Sequence, residues 1–148
     1  MTDTTSAPDT IQVNHDIVTR FYDLVNAKDF AAFDQLVHAD YVDHDPAPGQ
    51  PPGIAGLQMM YGAFAAAFPD IRHSLEDLVA EDDLVVARGT VDGTNSGPFM
   101  GIPATGRPMR WTATRMFRIR DRWIVEGWLN MDMVGLLVQM GVVPPPPG

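Results

Sequence analysis

The hydrophobic pattern of the chain changes period at Phe68-Pro69-Asp70, and that change limits the fold more than any other feature. Before it, apolar residues recur at helical spacings: Ile11, Ile17, Val18, Phe21, Leu24 and Val25 mark an amphipathic helix over 10–26. Asp29 is a suitable N-cap for a second short helix over 30–37, and YVDHD at 41–45 reads as a short extended piece. PAPGQPPG can only be a loop, and a third helix over 54–68 stops before Pro69. After it, strand-like segments rich in Val, Ile, Thr and aromatics run to Met131, interrupted at EDD, at NSGPFMGIPATG and at Asp121-Arg122. Helices followed by a run of antiparallel strands predict an α+β fold, with the helices gathered on one face of a curved sheet.

The 148 residues suffice for one core. The spacing places it in a single domain over 10–143, between a flexible tail at 1–9 and a Pro-rich tail at 144–148. With 10 basic against 19 acidic side chains the net charge is −9, which repels a phosphate backbone and excludes nucleic acid as a partner. The absence of cysteine rules out disulfides, a thiol nucleophile and thiolate metal sites. The first residues lack the pattern of a signal peptide, and no apolar run reaches the roughly 20 residues of a membrane span, so the expectation is a soluble cytoplasmic protein without a membrane partner.

A two-residue turn at Asp121-Arg122 fixes which side chains share a face of the last hairpin. In the simplest register one face pairs Ile119 with Ile124, Phe117 with Glu126, Arg115 with Trp128, Ala113 with Asn130 and Trp111 with Asp132. Polar groups on such an apolar face are either paired in the core or line a cavity. The hairpin therefore suggests an apolar wall carrying a guanidinium, an amide and a carboxylate, with Trp111, Trp128 and Phe117 as flat surfaces. Arg115 opposite Trp128 would make a cation–π contact, or it could be a structural ion pair with Glu126. A one-residue bulge would reverse every assignment beyond it. The same register puts Trp123, Val125, Leu129 and Met131 on the outer face, an apolar patch that suggests a homodimer.

In EGWLNMDMVGLLVQMG the strand pattern turns helical at Asp132. That carboxylate is either the N-cap of a short terminal helix or a functional group between Met131 and Met133. His44 is either a rim residue that contacts substrate or a hydrogen-bonded structural histidine; alternation in DHD and the lack of a second histidine at ligand spacing argue against a metal. Tyr22 and Tyr41 either donate hydroxyls into a cavity or simply pack. Asn130 is either structural or substrate-facing. GTNSGPFMG lacks the Lys-Ser/Thr of a phosphate loop and reads as a rim connection, with Phe99, Met100 and Ile102 shaping an entrance.

VDH at 42–44, FPD at 68–70, AEDDLVVARGT at 80–90, GTNSGPFMGIPATGR at 93–107, FRIRDRWIVEGW at 117–128 and the terminal DMVGLLVQMG form a set. With this set the chain resembles the SnoaL-like polyketide (ester) cyclases of the nuclear transport factor 2-like superfamily. The resemblance implies a cone-shaped, curved antiparallel sheet wrapped by three N-terminal helices and a short C-terminal one, around a deep pocket. It also implies that Asp132 matches the family's acid/base aspartate, that His44 contacts substrate, and that Asn95 stands where members often have His.

On that reading Asp132 would take a proton from the carbon beside a carbonyl and return it to the product oxygen. Arg115 or Asn130 would stabilise the developing enolate. Burial would favour the neutral acid and a nearby Arg115 the carboxylate. The expected activity is aldol cyclisation or isomerisation of an apolar, polycyclic or polyketide-like carbonyl compound, without a metal or organic cofactor. The alternatives are epoxide opening or dehydration of the limonene-epoxide-hydrolase type, and a non-catalytic binding or dimerisation module.

Overall fold

The computed structural model describes residues 6–147; residues 1–5 and 148, which belong to the expected tails, lie outside the described residues. Helix α1 spans Ser6–Ala27 and so begins within the stretch read as a tail. It buries Ile17, Val18, Phe21, Tyr22 and Val25 on one face. Its end is closed by Lys28 N–H on Val25 O and Asp29 N–H on Leu24 O, with Lys28 in the left-handed region at φ 58°.

The second helix differs from expectation. It is a 3-10 helix, Phe30–Gln35, and Asp29 makes no side-chain cap bond. Strand β1, Val37–Asp43, follows almost at once, which leaves no length for a second α turn while Phe33 is drawn into the core. Helix α2, Gly53–Ala67, begins after Pro52 and ends just before Phe68. Then come β2 (Arg72–Glu81), β3 (Leu84–Thr94), β4 (Pro108–Arg120), β5 (Trp123–Met131) and helix α3 (Met133–Gln139).

The five strands form an open sheet in the order β1-β5-β4-β3-β2. Its pairs are antiparallel except β1 with β5, which is parallel, so the sheet is mixed rather than wholly antiparallel. The long excursion through α2 and three strands lets β1 meet β5 in the same direction. One core cluster joins α1, the 3-10 turn and α2 to the sheet around Phe21, Phe33 and Phe117; a second gathers around Phe68, Trp111 and Leu136. Among the described residues no helix is long and apolar enough to cross a membrane.

The hairpin turn forms as expected, with Asp121 at φ 50° and Arg122 at φ 69°, the doubly left-handed backbone of a tight two-residue connection. Ile119 pairs with Ile124, but Arg118 pairs with Glu126, so Val125 is an extra residue in β5. This bulge reverses the expected pairs beyond it: Phe117 faces Gly127 rather than Glu126, Arg115 faces Leu129 rather than Trp128, and Ala113 faces Met131 rather than Asn130. Leu129 and Met131 therefore turn inward and leave the outer patch on which a dimer was expected.

Candidate active site

Arg115 is the largest side chain that is fully buried, at 1% exposure. Strand β4 aims it inward beside Trp111 and Phe117, which share its face by alternation. Its Nη1 donates to Tyr41 Oη at 3.3 Å, its Nη2 approaches Met60 Sδ at 3.8 Å, and its Nε has no hydrogen-bond partner in the protein. The guanidinium carbon lies 5.8 Å from the Tyr61 ring centre and 6.0 Å from that of Phe117. Among the described residues no carboxylate pairs with it; the arginines that do form ion pairs are Arg88, Arg110, Arg118 and Arg120.

Arg115 lines a cavity of about 40 Å³ together with Tyr22, Tyr61, His73 and Trp111. Arg115 and Trp111 come from β4, and the other three each from a different element. Tyr22 shares the inner face of α1 with Phe21 and Val25, Tyr61 follows Leu57 on the inner face of α2, and His73 alternates inward with Ile71 near the start of β2. Asn26 clamps that strand: its side-chain amide donates to His73 O at 2.9 Å and accepts from His73 N–H at 2.8 Å. The His73 ring stands 5.8 Å from Tyr61 and 6.1 Å from Tyr22, and its Nδ1 has no partner.

Burial works against the Arg115 cation, while the Tyr61, Tyr41 and Tyr22 oxygens, once ionised, and Asp43 act the other way; a guanidinium in these surroundings stays charged at neutral pH. Burial pushes the Tyr22, Tyr41 and Tyr61 phenols well above their usual range, and Arg115 draws them back only in part. Burial, reinforced by the Arg115 charge, lowers His73 from 6.5 to about 4, which keeps the imidazole neutral at neutral pH. A fixed cation, three neutral phenols and a neutral imidazole are suited to an oxyanion rather than to a metal ion. Among the described residues no three His, Asp or Glu side chains converge as a metal would require.

Four residues of the cavity wall, Met60, Phe64, Leu129 and Met131, also line a wider cleft of about 610 Å³. The other walls of the cleft are largely apolar and include Met59, Ala63, Phe99, Met100 and Met133, with Asp45, Gln50 and Asn130 as polar members. Asp45 is already engaged, since it accepts Leu129 N–H at 2.8 Å.

The structure thus brings together Arg115, Trp111, Tyr22, Tyr41 and Phe117, and places Asn130, Phe99 and Met100 at the cleft. It separates others. Trp128 lies on the outer face, stacked on His44 at 4.6 Å, and its cation is Arg118 rather than Arg115. Glu126 bonds His44 at 2.7 Å and Arg118 at 2.9 Å, not Arg115. His44 and Arg118 together hold its carboxyl below the usual range. Asn95 is fully buried and spends its amide on the rim loop, donating to Gly97 O and accepting from Thr105 N–H. Asp132 is exposed and caps α3, accepting Gly135 N–H at 2.8 Å.

His73 and Tyr61 were missed from the sequence. The alternation in IRHSL places His73 on the face of Ile71, and Leu57, Tyr61 and Phe64 recur at helical spacing, so the signal was present.

The family model for SnoaL-like polyketide cyclase matches residues 15–140. No curated protein sequence matches the chain. Among solved structures, IdmH from Streptomyces antibioticus is 36% identical with a TM-score of 0.76, over 87% of this chain and 99% of that one. TsrD from Streptomyces laurentii is 31% identical with a TM-score of 0.76, over 97% of this chain and 100% of its own. AclR from Streptomyces galilaeus is 26% identical with a TM-score of 0.82, over 93% and 86%. The shared fold and the extent of the family match agree with the α+β architecture, and the chain belongs to the SnoaL-like polyketide cyclase family.

Proposed function

We propose that this chain is an acid/base enzyme that works without a cofactor on an apolar carbonyl compound of polyketide type. The observation that carries this reading is a charged, buried guanidinium, paired with no carboxylate among the described residues, in a small cavity that shares four wall residues with an apolar cleft. A carbonyl oxygen reaching Arg115 would find the donors that an enolate needs, already oriented and shielded from water.

His73 is the proposed base. It is neutral, it lines the same cavity, and one ring nitrogen is free. The C–H bond beside the carbonyl breaks, the proton goes to His73, and the electron pair moves to the oxygen held by Arg115. The enolate carbon then attacks a second carbonyl of the same molecule. The new alkoxide takes the proton back from His73, so charge and atoms balance without a further reactant. The Arg115 charge disfavours an imidazolium in the empty site, while the enolate formed in the same step offsets it. The resulting imidazolium is a strong acid for the return step.

A second reading keeps Asp132 as the base. It is favoured by its place between Met131 and Met133, both of which line the cleft. Epoxide opening would need a carboxylate to activate water beside Arg115, and among the described residues none is paired with it, so we place it lower. AclR carries the provisional description of a hydroxylase and IdmH that of a polyketide cyclase; the acid/base chemistry proposed for this chain agrees with the latter.

Deuterium incorporation at the acidic carbon of a polyketide-like β-keto ester in D₂O, followed by NMR, tests the assignment. His73→Gln should slow exchange by about 10²–10⁴-fold, as loss of a general base does, while Asp132→Asn retains most of the rate. The opposite ranking would move the base to Asp132. Equal, undiminished rates in both variants would sink the acid/base reading.

A further inference from the structure

Building on the reading of the cleft as the substrate site, we propose that the ligand it takes is already an anion. It is a flat, apolar molecule bearing one delocalised oxyanion, and that oxyanion is the missing counter-ion of Arg115.

Three observations carry this. First, Arg115 is 1% exposed, its Nε is unpartnered, and among the described residues its neighbours are the neutral phenols of Tyr41, at a long 3.3 Å, and Tyr61, and the thioether of Met60. A buried cation is normally paired. The carboxylate that acts on it from a distance, Asp43, is committed elsewhere: its Oδ1 accepts Asp45 N–H and its Oδ2 accepts Gln50 Nε2. Second, the groups around the cavity are neutral. Tyr22, Tyr41, Tyr61 and His73 hold no charge to balance Arg115 at neutral pH, yet their polar atoms can bond an oxyanion. Third, sizes match a head and a body. The inner cavity of about 40 Å³ admits a head group of a few atoms, and the adjoining 610 Å³ admits a ring system.

Side-chain movement at Met60 would admit the head group. Met60 lines both spaces and its Sδ lies 3.8 Å from Arg115 Nη2; an unbranched thioether swings aside readily. An incoming oxyanion would exchange that weak sulfur contact for a charge-assisted hydrogen bond. The shared chemistry of a carboxylate and an ionised enol meets this description, and it excludes neutral esters as the tight-binding form.

The test is calorimetric titration of the full chain at pH 7 with two matched pairs. These are 2-naphthoate against its methyl ester, and 2-hydroxy-1,4-naphthoquinone, an acidic enol, against its 2-methoxy ether. The anion of each pair should bind at least about tenfold tighter, a difference of about 1.4 kcal/mol. A preference confined to one pair identifies the head as carboxylate or enolate. In Arg115→Met the preference should vanish, whereas in Met60→Ala it should persist. Equal or tighter binding of the neutral partner in both pairs, survival of the preference in Arg115→Met, or binding of none of the four would overturn the proposal. If Arg115→Met does not fold, the wild-type comparison alone still decides. Failure here is separable from failure of the catalytic reading, because deuterium exchange on a neutral keto ester can succeed while anion preference is absent, and the reverse.

Discussion

Replacing Arg115 by Met removes a buried charge without leaving a partner charge behind. Where a buried arginine is ion-paired, truncation strands the partner and costs about 3–5 kcal/mol. Here the loss is of neutral contacts: the bond to Tyr41, the approach to Met60, and the stacking over Tyr61 and Phe117. Arg115→Met should therefore shift the unfolding free energy by no more than about 2 kcal/mol in either direction, as measured by urea titration. A loss on the scale of a broken ion pair would show that a carboxylate balances the cation. The residue scale is also where the sequence was most and least informative. Arg115 stood out as a cation in an apolar strand, and Trp111, Tyr22 and Tyr41 were named with it. Asp132 drew attention as a lone carboxylate, and the structure puts it at a helix start, where a cap satisfies a free N–H group. One sequence pattern served both readings, and only the fold shows the bond to Gly135.

At the scale of elements, the bulge at Val125 decides which side chains reach the cavity. Nothing in WIVEG announces an inserted residue, since Ile124 and Glu126 are compatible with either register. Gly127 carried a weak hint, because a glycine inside a strand often marks a bulge or a close approach. Here it is the latter. A Cβ on Gly127 would collide with Tyr41 Oη and lie 3.3 Å from Arg115 Nη1. Gly127→Ala should displace the Tyr41 hydroxyl, costing about 1–3 kcal/mol of stability. Tyr41→Phe removes the colliding oxygen, so in that background the alanine should cost less by at least about 0.5 kcal/mol in a double-mutant cycle. Strict additivity would mean that the strand shifts instead and that Gly127 has no part in seating Tyr41. Other element-level differences have plain causes. The second helix tightened to 3-10 because β1 follows at once, and β1 met β5 in parallel because the pattern of a short strand does not encode its partner.

For the whole molecule, class and helix order were legible because the period changes at Pro69, and the turn at Asp121-Arg122 was legible from its length. Convergence of α1, α2, β2 and β4 on one cavity was not, since it depends on packing between distant segments. That packing has a consequence for stability against pH. His73 holds a proton less readily folded than unfolded, because burial and Arg115 disfavour its cation, with Tyr22 and Tyr61 as its neutral neighbours. Between pH 6.5 and about 4 the unfolded chain binds the extra proton, so stability is fully present above 6.5 and falls as the pH drops toward 4. The loss amounts to about 3 kcal/mol for a shift of this size.

The same displaced proton gives the most direct test of a desolvated polar site at the end of the cleft. NMR titration of the His73 imidazole, assigned with His73→Gln, should place its midpoint near 4 in the free protein. A midpoint near 6.5, the value of a solvated histidine, would mean that water reaches His73 freely and that Arg115 does not act on it, and the account of this cavity as the reactive site would be contradicted.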